Sequence, residues 1–216
     1  MKNYEYVFFD LDGTVTDPAE GITNSVAYAL SKYGIEVTDK TSLYDFIGPP
    51  LIDSFMKHYS FSREKAVDAV EKYREYYRVK GIFENKLYNG ITELLENLKK
   101  SGKKVVLATS KPEKFAVEIL KHFKIYELFD FVAGATMDET RTDKSEVIKY
   151  AIDSLSIIDV SKIIMVGDRK YDIEGAHKFG IKAIGVNYGY GSFEELKNAD
   201  SDYIVSNPKE IEEILI

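Results

Sequence analysis

Two acids separated by one residue, in Asp10-Leu11-Asp12-Gly13-Thr14, stand where the first apolar run of the chain stops. In extended backbone alternate side chains point the same way, so Asp10 and Asp12 can face one site while Leu11 faces the core. Gly13 lets the chain turn sharply or approach a ligand closely. A second acidic group, Gly167-Asp168-Arg169-Lys170-Tyr171-Asp172, closes another apolar run. Asp168 would stand at the strand end, with Asp172 one helical turn behind it. Three or four carboxylates on neighbouring strand ends repel unless a cation sits among them. Mg²⁺ suits such a place, because it is hard, prefers oxygen ligands and keeps room for water and phosphate oxygens. Thr109-Ser110, between an apolar run and a helical pattern, offers hydroxyls and N–H groups to phosphate oxygens. Lys144, in Thr142-Asp143-Lys144-Ser145, supplies the local positive charge that an anionic ligand needs.

That charge has to be local, since the chain as a whole is acidic. Its formal charge of -7 opposes binding to a nucleic-acid polymer, which needs a cationic footprint. The absence of cysteine excludes disulfides, thiolate metal sites and a cysteine nucleophile. His58, His122 and His177 lie scattered in helical segments with neither metal-ligand nor triad spacing. The apolar run from Tyr6 to Leu11 is interrupted by Asp10 and is too short for a signal or a membrane span. A cytoplasmic protein with no membrane partner, monomeric by default, is the expectation.

The elements that position these residues follow from the alternation of short apolar runs with helical patterns, the mark of βαβ units and a parallel sheet. Strands are expected at Tyr4–Phe9, Lys103–Ala108, Phe131–Gly134, Lys162–Val166, Lys182–Val186 and Tyr203–Val205. Helices are expected near Gly90–Ser101, Pro112–Phe123, Lys144–Leu155, Tyr171–Phe179, Phe193–Asn198 and Pro208–Ile214. Ser192 with Glu195, and Asp143 with Glu146, have capping-box spacing. Pro112 suits a first helical turn. Gly189-Tyr190-Gly191 reads as a loop before the Ser192 cap. At 216 residues the chain has room for one core with a smaller domain inserted. The stretch from about Asp17 to Asn85 breaks the alternation, reading as helices Ala19–Tyr33, Leu51–Tyr59 and Ser62–Lys80 with no convincing strand. The expected organisation is therefore an α/β, Rossmann-like parallel sheet core with helices on both faces, residues 1–16 and 86–216, and an inserted α-helical cap, residues 17–85. An insertion leaving directly after the first strand would hang over the carboxyl edge, where ligands bind in open sheets.

In this order the motifs resemble those of the haloacid dehalogenase superfamily of phosphatases, over nearly the whole chain. The first motif is Asp10-Leu11-Asp12-Gly13-Thr14, the second Ala108-Thr109-Ser110, the third Lys144, and the fourth Gly167-Asp168 with Asp172. The resemblance implies that Asp10 is a nucleophile attacking phosphorus and Asp12 its acid/base partner. It implies a Mg²⁺ cofactor held by the Asp10 side chain, the Asp12 backbone carbonyl and Asp168, with Asp172 acting at one remove. It also implies that Thr109, Ser110 and Lys144 hold the phosphoryl group of a small phosphorylated metabolite.

Within the superfamily the chain resembles the phosphoglycolate phosphatase and 5′-nucleotidase-like group, through Phe46-Ile47-Gly48-Pro49-Pro50-Leu51, Ser110-Lys111-Pro112 and Tyr188-Gly189-Tyr190-Gly191. Arg169-Lys170 after Asp168, and the lack of a Pro-x-Pro pattern after Lys144, favour the nucleotidase-like branch, with phosphoglycolate phosphatase as the alternative. A sugar phosphomutase would carry an arginine in the cap loop, where Gly48-Pro49-Pro50-Leu51 offers none. A non-catalytic binding protein would have no need of an acid/base carboxylate beside a nucleophile.

Overall fold

The computed structural model describes residues 4–137 and 140–216. The chain divides into two compact units, Met1–Asp17 with Leu87–Ile216, and Pro18–Lys86.

The first unit is built on a six-stranded parallel sheet. Its strands are β1 (Tyr6–Phe9), β4 (Lys104–Pro112), β5 (Phe131–Ala135), β6 (Ile163–Gly167), β7 (Lys182–Val186) and β8 (Tyr203–Val205), in the order β5-β4-β1-β6-β7-β8. The chain leaves β1 for β4 and β5 on one side, then returns to β6 and runs outward through β7 and β8 on the other. The order reverses at β1, and the carboxyl ends beside such a reversal form the binding crevice of open α/β sheets. Two short strands, β2 (Thr16–Asp17) and β3 (Lys86–Leu87), flank the inserted segment and pair with each other.

The strands are apolar on both faces because both are covered. Phe8, Val106, Met165 and Ala183 share one core with Val147, Ile148 and Ala151 of α6 (Lys144–Ser154), Ile173 and Ala176 of α7 (Lys170–His177), and Leu196 of α8 (Phe193–Asn198). The alternate residues Val7, Phe9, Val105 and Leu107 are equally buried. Helices α4 (Ile91–Lys100), α5 (Glu113–His122) and α9 (Pro208–Leu215) complete the unit, with α4 packed on β4 and against α9.

Some local expectations are corrected. Strand β4 continues to Pro112 rather than stopping at Ala108, and Pro112 caps α5 from outside instead of opening its first turn. A residue before proline is pushed towards extended backbone, which prolongs the strand through Lys111. The Asp143 cap forms with its return contact, Glu146 accepting from the Asp143 N–H at 3.1 Å. At Ser192 only the forward half forms, the hydroxyl accepting from the Glu195 N–H at 3.0 Å, because the Glu195 carboxylate is engaged by Arg169 Nε at 2.9 Å.

The second unit is helical: α1 (Ala19–Ser31), α2 (Leu51–Tyr59) and α3 (Arg63–Tyr76), with a 3₁₀ segment at Lys40–Phe46. The helix expected to reach Lys80 gives way after Tyr76 to a π-helical turn, Tyr77–Gly81. Its core joins Val26, Ala29 and Leu30 of α1 and Ala66, Ala69 and Val70 of α3 with the aromatic side chains of Phe46, Phe55 and Phe61. No helix among the described residues is long and apolar enough to cross a membrane.

Candidate active site

Parallel pairing fixes which residues meet. Phe9 is in register with Leu107 of β4 and with Val166 of β6, so Asp10 emerges between Ala108 and Gly167. The Asp10 N–H still donates to the Val166 carbonyl at 2.9 Å, which anchors the first acid to the strand. Beyond it the chain turns, with the Thr14, Val15 and Thr16 N–H groups all donating to the Leu11 carbonyl. Gly13 makes that turn at φ +86°, and a Cβ there would lie 2.1 Å from Asp168 Oδ2. Only glycine allows the loop after β1 to close against the acid that follows β6.

Around this junction four carboxylates and two ammonium groups are buried or nearly so. Lys144, the first residue of α6, points back over the sheet: its Nζ donates to Asp10 Oδ1 at 2.7 Å and to the Ala108 carbonyl at 2.9 Å. The same ammonium lies 2.7 Å from Asp172 Oδ1, an ion pair without hydrogen-bond alignment. Gly175 on α7 makes room for the lysine stem, since a Cβ there would meet Lys144 Cγ at 3.0 Å. Burial pulls the Lys144 ammonium downward, but Asp10 and Asp172 outweigh it and hold its pKa above the usual lysine value.

The other acids have distinct surroundings. Asp168 accepts from the Tyr190 N–H at 2.7 Å and from the Thr14 hydroxyl at 3.4 Å. Burial first, then the neighbouring Asp172 and Asp10, push its pKa well above the aspartate range. Asp172 accepts from the Arg169 N–H at 3.0 Å. Burial raises it to about 6 against the pull of Lys144. Asp12 is pushed up by burial, which Lys111 opposes and Asp10 reinforces. Its Oδ2 pairs with Lys111 Nζ at 2.5 Å, while its Oδ1 is buried with no hydrogen-bond partner among the described residues.

The donor set fits a hard divalent cation. Asp10, Asp168 and Asp172 each offer one carboxylate oxygen, all within 4.8 Å of one another and all buried. Oxygen-only donors match Mg²⁺, and a divalent cation would relieve the mutual repulsion that pushes the Asp168 pKa upward.

The fold thus brings Asp10, Asp12, Lys144, Asp168 and Asp172 to one place. Asp172 stands closer than expected, inside the same carboxylate cluster. Thr109 is buried within the C-terminal half of β4 and its hydroxyl accepts from the Lys111 N–H at 3.2 Å. Ser110 is half-buried and, among the described residues, makes no side-chain hydrogen bond to the acids. The expectation that helix N–H groups lie beside Thr109 and Ser110 is corrected, because α5 begins only at Glu113. Two participants carried no sequence signal for their place. Lys111 was legible only as part of Ser110-Lys111-Pro112. Tyr190, legible only as part of the loop Tyr188-Gly189-Tyr190-Gly191, reaches Asp168 through its N–H and Asp17 through its hydroxyl.

The chain is also similar to known proteins. Residues 7–186 match the family model described as haloacid dehalogenase-like hydrolase. A 5′-nucleotidase of Pseudomonas aeruginosa is 46% identical over 90% of this chain and 87% of its own. The tyrosine-protein kinase PtkA of Mycobacterium tuberculosis is 35% identical over 97% of this chain and 71% of its own. The crystal structure of a predicted phosphatase from Clostridium acetobutylicum superposes with a TM-score of 0.94 at 51% identity, covering 98% of each chain.

Proposed function

Because the chain belongs to the haloacid dehalogenase-like hydrolases and is a phosphatase of that family, we propose that it hydrolyses small phosphomonoesters through a phospho-aspartate on Asp10, with Mg²⁺ as cofactor and nucleoside 5′-monophosphates as preferred substrates. The observation that carries this reading is the pairing of two buried acids at the end of β1, each with its own lysine: Asp10 with Lys144 and Asp12 with Lys111.

The Asp10 carboxylate attacks phosphorus in line with the ester oxygen, so that a P–O bond to Asp10 forms as the bond to the alcohol breaks. Asp12, whose protonated form is favoured by burial against the opposing pull of Lys111, gives its proton to the departing alkoxide. It then takes a proton from the water that attacks the acyl phosphate, which frees Asp10 and releases phosphate. Lys144 holds Asp10 in place and stabilises the equatorial oxygens of the transferred group. The Thr109 hydroxyl, which accepts from Lys111 N–H, keeps its own proton for a phosphoryl oxygen. Asp10, Asp168 and the Asp12 backbone carbonyl would hold Mg²⁺, with Asp172 beside them. When bound, the ion supplies the charge neutralisation that lets an anionic carboxylate approach an anionic phosphate.

The nucleotide preference draws support from the name of the Pseudomonas relative and from Arg169-Lys170 after Asp168. The inserted helical unit is the proposed source of selectivity among leaving groups. Assays with nucleoside monophosphates, phosphoglycolate, sugar phosphates and pyrophosphate in Mg²⁺ rank the substrates directly. Phosphoglycolate ahead of every nucleotide in kcat/KM overturns the preference. The kinase name of one relative makes the acceptor worth measuring: free phosphate released one for one with the alcohol marks hydrolysis rather than transfer. Wild-type turnover by Asp10→Asn, or turnover untouched by chelation of the metal, would falsify the mechanism.

A further inference from the structure

Lys111 takes no bond-making or bond-breaking part in the two displacements above, yet it sits on the carboxylate that moves the proton. Its side chain is 7% exposed and that of Asp12 12%, so both polar heads have been withdrawn from most of their water. Such a pair is poor value as a stability device, because desolvation of the two ions consumes much of their attraction. Its geometry has a more specific consequence. A carboxylate rotates through a broad, roughly two-fold torsion, so anchoring one oxygen fixes the direction of the other. Lys111 anchors Oδ2, and Oδ1 is the buried oxygen left without a partner.

The chain brings Lys111 to this position by a local device. The register of β4 against β5 shifts between Ala108 and Pro112. Irregularities of this kind re-aim a side chain at the end of a strand. Pro112 keeps Lys111 extended, and the Thr109 hydroxyl accepts the Lys111 N–H at 3.2 Å. The two lysines therefore divide the two acids between them. Lys144 serves the nucleophile from α6, and Lys111 reaches the proton carrier from the neighbouring strand.

We propose that Lys111 is a positioning residue for the acid/base step, holding Asp12 Oδ2 so that Oδ1 is presented to the leaving-group oxygen. The inference rests on the phosphatase reading of Asp10 and Asp12.

Leaving-group dependence tests it. An alkyl ester such as β-glycerophosphate needs a proton on its departing oxygen, whereas p-nitrophenyl phosphate releases a stable anion unaided. The readout is kcat/KM, which reports steps only through departure of the leaving group. Lys111→Met is expected to lower kcat/KM for the alkyl ester roughly 10- to 100-fold and for the aryl ester less than about threefold, part of what a general acid contributes. Lys111→Arg should restore the alkyl ester, and inorganic phosphate should inhibit Lys111→Met as it does the wild type. Combined with Asp12→Asn, Lys111→Met should lower the alkyl-ester rate no further than Asp12→Asn alone. Lys111→Gln, measured alongside, serves if the Met variant does not fold. Equal losses on both esters, or an unchanged alkyl-ester rate, overturn the proposal. A wild type inert towards both esters, or an active Asp10→Asn, removes the underlying reading and the proposal with it.

Discussion

Lys144 Nζ donates to Asp10 Oδ1 at 2.7 Å although 134 positions separate the two residues in sequence. The contact joins the start of α6 to the end of β1, and the same ammonium touches the Ala108 carbonyl and Asp172. One buried cation thus ties together the end of β1, the middle of β4 and the first turn of α7. Its removal exposes how much of the site is electrostatic.

Lys144→Met leaves Asp10 and Asp172 as buried carboxylates without their shared counter-charge. Breaking a buried pair in this way costs about 3–5 kcal/mol. Urea unfolding at neutral pH, without added divalent ions, should show a loss of that size. Adding Asp172→Asn to Lys144→Met should recover part of it, and a Lys144→Met protein as stable as the wild type would contradict this role.

Binding of Mg²⁺ to the native protein alone should raise the melting temperature in proportion to the logarithm of its concentration. Asp168→Asn removes one of the three clustered carboxylates and is expected to abolish that rise. The variant should melt no lower than the wild type in metal-free buffer, because an acid that burial and its neighbours disfavour as an anion has been replaced by a neutral amide. A full Mg²⁺-dependent shift in Asp168→Asn places the ion elsewhere.

Gly189 has no room for a side chain. A Cβ there would lie 2.3 Å from the Gly13 carbonyl oxygen and 2.4 Å from Asp168 Cβ. The first obstacle is backbone, so the loop after β7 must move, and Gly189→Ala should cost about 1–3 kcal/mol. The Tyr190 N–H contact to Asp168 should weaken with it. Calorimetric melting together with Mg²⁺ affinity checks both effects, and Gly102→Ala, facing open space but at φ +84°, separates crowding from backbone strain.

Asp202, just before β8, caps the neighbouring strand: Oδ2 accepts from the Ala183 N–H at 2.9 Å and faces His177 Nε2 at 3.2 Å, while Oδ1 pairs with Lys182. Burial works to raise its pKa, but Lys182, the Ala183 N–H and His177 prevail and the net shift is downward. With the folded pKa below the ordinary value of about 3.9, its contribution is full above that pH and is lost as pH falls through the folded value. The stability gap between wild type and Asp202→Asn should therefore close as pH falls from about 5 to below about 4. Denaturant titrations across this range read it directly. A gap that widens on acidification has the wrong sign.

Much of this protein was legible without coordinates. The alternation of apolar runs and helical patterns located all six sheet strands, since each reads as a nearly unbroken apolar run, buried on both faces in the middle of the sheet and partly buried at its edges. Asp10 and Asp168 were visible because each interrupts or ends such a run. Other features were less legible. Strand β4 outran its apolar segment because backbone extension before Pro112 is a steric matter that hydropathy does not record. Lys111 and Tyr190 remained hidden for a related reason. One is aimed by a register shift, and the other acts on Asp168 through its backbone N–H, which any residue but proline supplies.

The sequence by itself determined the parts and their order: which acids end which strands, where a lysine opens a helix, and where a helical segment interrupts the alternation. These are local properties, carried by side-chain polarity, propensity and capping chemistry over a few residues. Only the tertiary structure decided which charge neutralises which. Lys144 serves Asp10 and Asp172, Lys111 serves Asp12, and Asp168 rests on the loop of Gly189 and Tyr190. Those pairings depend on strand order, on parallel register and on close approaches of backbone, all relations between segments far apart in the chain, and local sequence does not encode distances of that kind.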